Sequence, residues 1–298
     1  MNKKIANLFK RLSALFERAK NRLLKNRVIY LLFLTIEGAG RHDAGHLAAG
    51  AAYYAILSIF PLLLGVISVF GFFLPSVDLQ GDLLKFVGDN IPGATTILQQ
   101  NIEGIIQLRG AIGILSIVLF FWGATSMFGA LSVGINRAWD VRRDRPFFIR
   151  KAAELGMVFS AGVLFLLSLG ASAVISVLVG LYDFPAEDLI LVDFGSRLAA
   201  FLLIMLVFVV LYKLVPNTRT YWRDVWPGAA MAAFFFEIAR TLFVFYLQNF
   251  ANYQLLYGSI ASIIVLLVWI YYSVFIVILG AEFTCQYSRI RQSVTEHF

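Results

Sequence analysis

Apolar residues run through this chain in blocks too long for the core of a water-soluble domain, with shorter polar stretches between them. Six blocks, at about residues 47–74, 111–135, 155–182, 194–215, 227–248 and 259–282, are each rich enough in Leu, Ile, Val, Phe and Ala to be read as a membrane span. A helix needs ~20 residues to cross a hydrocarbon layer ~30 Å thick, so each block suffices. The first exceeds that length, which predicts a tilted or bent helix. Pro61 near its middle removes a backbone N–H and crowds the carbonyl of Leu57, so a kink is expected there. The pattern differs before residue 28. Ile5, Leu8, Phe9, Leu12, Leu15, Phe16, Ala19 and Leu23 recur at three- and four-residue spacing among Lys and Arg. That describes a helix lying in the membrane interface, apolar side down and cations toward anionic headgroups. Residues 28–36 are apolar but too few to span, and read as a second interfacial or re-entrant piece. The predicted fold is an all-α integral membrane protein. It divides into a basic interfacial region at 1–43, a six-transmembrane-helix bundle at 44–285 and a cytoplasmic tail at 286–298.

Composition agrees with the pattern. The chain is 60% hydrophobic and only 14% charged, against about 25% charged in soluble domains. Its net charge of +7 raises nucleic acid as a partner, but the placement of the cations answers that. Of 25 Lys and Arg, 21 fall in residues 1–46, 136–151, 213–223 and the tail, which six crossings put on one side. The positive-inside rule then places both termini in the cytoplasm and accounts for the charge without nucleic acid. No cleaved signal peptide is expected. A single cysteine, Cys285, excludes an intrachain disulfide and a cysteine metal cluster.

Residues 227–248 are the stretch around which the other helices are expected to wrap. They span roughly 33 Å as a helix, yet carry Glu237 and Arg240 three residues apart, on one face and within reach of each other. A charge at mid-membrane costs at least ~2.5–3.5 kcal/mol unless it faces protein or water. Ala229 and Ala233 extend that face with small residues, where a neighbouring backbone can approach. The pair is either a structural ion pair or the lining of a substrate or ion path. Pro61 is a second candidate for that path. A broken helix frees carbonyls near the midplane, and Tyr53, Tyr54 and Ser58 add hydroxyls beside them. Glu282, read as closing the last span, needs a cation, because a carboxylate is unfavourable at a helix C-terminus. Arg137, Arg142 and Arg143 are the expected partners in a clamp. Ser168, Ser172, Ser176 and Gly180 repeat every fourth residue as a small-residue packing stripe. His42 and His46, four apart with Asp43 nearby, have the spacing of a metal pair but lie where polar residues ordinarily meet headgroups. No hydrolytic set, nucleotide-binding loop, cofactor motif or metal cluster is found, so no catalytic, cofactor or metal residues are assigned.

The last span carries a resemblance. YGSIASIIVLLVWIYYSVFIVILGAEF, residues 257–283, resembles the YihY/BrkB family of bacterial inner-membrane proteins in Tyr257, Gly258, Trp269, Gly280, Ala281 and Glu282. AAYYAILSIFPLLL at 51–64 and GINRAW at 134–139 agree with it, and the likeness runs from about residue 28 to 290. It implies a multi-pass envelope protein of the bacterial inner membrane, linked in places to virulence and proposed to move lipids or solutes. An older assignment of the family as a tRNA-processing ribonuclease is regarded as mistaken. The leading expectation is therefore a transporter- or flippase-like protein for a lipid or amphipathic solute, compatible with a homo-oligomer. The competing one is a membrane scaffold without translocation, and an enzyme is the weakest.

Overall fold

The computed structural model describes residues 26–73, 109–141, 145–181, 186–250 and 260–295. These form seven α-helices and no strand: α1 Arg27–Arg41, α2 Ala44–Phe73, α3 Arg109–Ala138, α4 Phe147–Leu181, α5 Ala186–Leu214, α6 Trp222–Phe250 and α7 Ile260–Thr295. Four carry a stretch long and apolar enough to cross a membrane: Ala44–Leu62, Leu115–Ala138, Trp222–Gln248 and Ile263–Ser293. A fifth, shorter apolar stretch is Leu198–Leu214 in α5. Of the basic segment expected as an interfacial helix, residues 1–27, all but the last two lie outside the described residues.

Most helices extend past their apolar blocks, because a turn that leaves the hydrocarbon can still close its own backbone bonds. Residues 28–36 prove to be part of the 15-residue α1. Its first turn is capped by Asn26, whose side chain accepts from the Val28 N–H at 3.0 Å. Leu31, Thr35, Gly38 and Ala39 face inward, while Val28, Tyr30, Phe33 and Ile36 are exposed. α6 begins at Trp222, five residues before its apolar block, so Pro227 sits in the second turn, where its missing N–H leaves the carbonyl of Arg223 without a helical donor. Residues 286–295, expected as tail, continue α7.

The helix at the centre is α7 rather than α6. It packs against α1, α2, α3, α5 and α6; in addition α2 packs on α3, α3 on α4, and α5 on α6. Small residues make this possible. Ala48, Ala51, Ala52 and Ala55 of α2, Ala229, Ala232 and Ala233 of α6, and Ala281 of α7 are buried, so backbones approach closely. At Gly228 an added Cβ would overlap the Thr284 hydroxyl, and at Gly280 it would overlap the Tyr212 hydroxyl. Tyr212, wholly buried, donates to the carbonyl of Val277 at 2.9 Å. This bonds α5 to α7 across their crossing. The side chains of Ser168, Ser172 and Ser176, like Gly180, lie outside the described residues, although their backbone belongs to α4.

Candidate functional site

The polar groups of the bundle converge at one end, where α1 meets α2, α3 stops, α6 starts and the last turns of α7 pass. Two aspartates shape the chain there. α3 closes with Val141 N–H on the Asn136 carbonyl, 3.0 Å, and Asp140 N–H on the Arg137 carbonyl, 2.9 Å. This paired closure puts a residue just past the helix in left-handed backbone, usually glycine. Here it is Asp140, at φ 53°, and Asp43 between α1 and α2 is similar at φ 54°. A side chain in that region costs on the order of 1–3 kcal/mol and persists where surrounding contacts hold it. Asp140 has such contacts. One carboxylate oxygen lies 3.2 Å from His42 Nε2, and the other accepts from the Arg289 guanidinium.

His42 stands between two carboxylates. Its Nδ1 is 2.5 Å from Oε1 of Glu282. Side-chain exposure falls along this chain of groups, from 53% at Asp140 through 18% at His42 to 0% at Glu282. The other Glu282 oxygen, Oε2, has no hydrogen-bond partner among the described residues and is buried. It rests against Gly38 of α1, where a Cβ would come within 2.6 Å of it. Glycine there lets the α1 backbone lie directly on a carboxylate. The hydrogen bond from Arg289 holds the Asp140 carboxyl below the usual carboxylate range, against the opposing effect of partial burial.

Glu282 was expected to end a helix and to pair with Arg137, Arg142 or Arg143. It lies thirteen residues before the end of α7, so the dipole argument does not apply, and the group that meets it is His42. Arg137 is exposed, and Arg142 and Arg143 lie outside the described residues. His42 and His46 do not share a site, since the ring of His42 is taken up by two carboxylates and His46 is exposed. A second clamp ties α6 to α7. Buried Asp224 accepts from Ser288 at 2.8 Å and from Arg291 at 2.7 Å. A third is Glu154 of α4, buried against Gly129 and bonded to Lys151 at 2.5 Å. Neither was anticipated. The signal was present in an acid placed three residues from a cation at 151 and 154, but for Asp224 the partners are more than sixty residues away.

Glu237 and Arg240 do pair, at 3.3 Å, on one face of α6. Among the described residues that face is only partly covered. Glu237 is 26% and Arg240 52% exposed, and Phe234, Ile238, Leu242 and Phe245 beside them are exposed too. The small residues one and two turns earlier, Ala229 and Ala233, are buried, so α6 enters the bundle at one end and leaves it at the other. Tyr54 and Ser58 lie elsewhere, at the α2–α3 crossing. Tyr54 meets the Trp122 ring edge-on at 6.2 Å, Ser58 donates to the Ala55 carbonyl at 2.8 Å, and a Cβ on Gly123 would come within 2.7 Å of Ser58 Cβ. Pro61 is inside α2. The two halves of the expected path thus sit on different helix pairs.

A bundle of apolar helices, several able to cross a bilayer, that gathers its buried charges at one end defines a multi-pass α-helical membrane protein. The chain belongs to the family described as Virulence factor BrkB, whose model matches residues 35–297. Among similar proteins are a UPF0761 membrane protein of Alteromonas mediterranea, 33% identical over 82% of this chain and 81% of its own length, and one of Aeromonas salmonicida, 31% identical over 86% and 93%. A Bacillus subtilis relative, 31% identical over 81% of this chain and 89% of its own, is named putative ribonuclease-like protein YfkH. No solved structure matches. The resemblance seen in the last span thus extends over most of the chain. Of the residues that carried it, Gly280, Ala281 and Glu282 line the helix crossings and the buried carboxylate site, and Trp269 stacks on Phe243 at 4.7 Å.

Proposed function

We propose that the protein is transporter- or flippase-like and moves a lipid or amphipathic solute across the bacterial inner membrane, in maintenance of the envelope. It has no catalytic role in this reading. The observation that carries it is the Glu237–Arg240 pair. Two opposite charges sit within an apolar span, on a face open to whatever surrounds α6. An exposed pair in water contributes ~0–1 kcal/mol, whereas a single charge facing lipid costs ~2.5–3.5 kcal/mol or more. A zwitterionic or anionic headgroup passing along α6 would exchange partners with both, and arginine grips phosphate at two oxygens. Six crossings with both termini cytoplasmic complete the reading. The lengths of α4, 35 residues, and α5, 29 residues, suffice for the third and fourth, and the basic first 25 residues bind anionic headgroups.

The test uses full-length protein in liposomes carrying a fluorescent phospholipid, with an impermeant quencher outside. Wild type should speed lipid exchange between leaflets. Glu237→Gln combined with Arg240→Gln should stay folded and lose that acceleration. A folded, fully active double variant would end this role for the pair. The scaffold reading is favoured by a different observation, the fixed inter-helix bonds of Asp224, Ser288 and Arg291, which suit a rigid assembly. It expects wild-type liposomes to behave as empty ones.

A further inference from the structure

We propose that Asp140, His42 and Glu282 form a proton entry route into the bundle, ending at Glu282 as a proton-binding carboxylate whose charge state sets how α7 is held to the α1–α2 joint. Proton binding at Glu282 requires no cargo and is independent of lipid movement along α6. Three observations carry it. The imidazole touches a carboxylate at each ring nitrogen, 2.5 Å and 3.2 Å away. Exposure declines in order along the three groups, from a half-exposed acid to a wholly buried one. Glu282 Oε2 is buried without a partner among the described residues, so the ionised carboxylate is only half satisfied in a low dielectric, where an incompletely paired charge is costly. A proton on Glu282 removes that charge.

The transfer balances without any co-reactant. Its starting state, short-lived because the Arg289 bond favours ionised Asp140, has a proton passed to Asp140 from hydronium, which leaves as water, with an N–H at Nδ1 of His42 and an ionised Glu282. The Asp140 O–H bond breaks and its proton joins Nε2, while the Nδ1–H bond breaks and that proton joins Oε1 of Glu282. Asp140 is again a carboxylate, now accepting from Nε2–H, and the imidazole is neutral before and after. Release runs the same steps backward. A neutral imidazole carries one N–H, so it can donate to only one of its two carboxylate neighbours at a time. The move of that N–H from one nitrogen to the other is the relay. Nearby on α7 are the Arg289 guanidinium, bonded to Asp140, and the neutral buried thiol of Cys285. Tyr212 of α5 is engaged with the Val277 carbonyl and Asp224 of α6 with Ser288 and Arg291, while Asp43 and His46 flanking the joint are exposed.

The full chain in detergent micelles tests this by infrared difference spectroscopy after a jump between about pH 9 and about pH 5, in H2O and D2O. Wild type should gain a protonated-carboxyl band that shifts in D2O and is missing in Glu282→Gln. In His42→Gln, and separately in Asp140→Asn, the band should form at least about a hundredfold more slowly, the lower end of the loss for a removed proton-transfer group. Asp140 is half exposed, so that variant keeps the test valid where the histidine change disturbs folding. Hydrogen exchange at residues 27–41 should be faster in Glu282→Gln than in ionised wild type, because the α1–α7 hold has lost its charge. The absence of a Glu282-dependent band, or wild-type rates in both relay variants, overturns the proposal. No lipid movement is measured, so failure here is separate from failure of the transport reading.

Discussion

Gly280→Ala is the sharpest probe of α7 as the central helix. A Cβ on residue 280 would overlap the Tyr212 hydroxyl and stand 2.9 Å from its Cζ and 2.8 Å from Ala232 Cβ. None of these can yield freely. Ala232 Cβ is fixed to the α6 backbone, and Tyr212 is wholly buried with its hydroxyl bonded to the Val277 carbonyl. Overpacking of this kind costs ~1–3 kcal/mol. Moving Tyr212 also strands its buried hydroxyl, while the Val277 carbonyl keeps its helical donor, for a further ~1–3 kcal/mol. The helix gains at most ~1 kcal/mol from replacing glycine. A net loss of about 1–5 kcal/mol is expected, read as a shift in the SDS fraction that unfolds the protein in mixed micelles. Adding Tyr212→Phe should recover only part of the loss, since Cζ and Ala232 still obstruct. Gly156→Ala in α4 is the control, because a Cβ there meets nothing within 4 Å; it should be neutral or stabilising by ~0.5–1 kcal/mol. Wild-type stability in Gly280→Ala would refute the packing at this crossing.

Two further outcomes follow from the same geometry. The folded Asp140 carboxyl titrates below the ordinary aspartate range, chiefly through the Arg289 hydrogen bond. Its contribution is therefore complete above that range and lost as pH falls through the lower folded one. The stability gap between wild type and Asp140→Asn should be constant near neutrality and shrink below about pH 4, and a gap unchanged to about pH 2 would contradict the bond. In a Cys285→Ser background, Glu187→Cys should react with an impermeant thiol reagent added outside the cell and Arg143→Cys should not, as six crossings with cytoplasmic termini require; the opposite pattern would overturn that topology.

The helices were legible because burial in a bilayer writes itself as long apolar blocks, and because Gly280, Ala281 and Glu282 sit together in a recognisable segment. Their ends were not, since the turns that continue α6 back to Trp222 and α7 out to Thr295 are polar and carry no membrane signal. That extension matters, because it brings Ser288, Arg289 and Arg291 onto Asp224 and Asp140. The charged pair of α6 was found from i, i+3 spacing, but spacing fixes a face and not what lies against it; the pair proved only partly covered, with Arg240 exposed and Glu237 half-buried. The partner of Glu282 was beyond reach of any local rule. His42 is 240 residues away, and it is aimed by a left-handed turn at an aspartate, where a glycine would ordinarily announce the turn.

The central claim is that buried Glu282 is held by His42 where α1, α3 and α7 converge, and a double-mutant cycle measures it directly. Stability in mixed micelles is compared for Glu282→Gln, His42→Gln and both together at neutral pH. If the two side chains form one unit, the double variant loses little more than the worse single one, giving a coupling of at least ~1.5 kcal/mol. Losses that add to within ~0.5 kcal/mol would mean the two residues act independently, and the site described here would not exist.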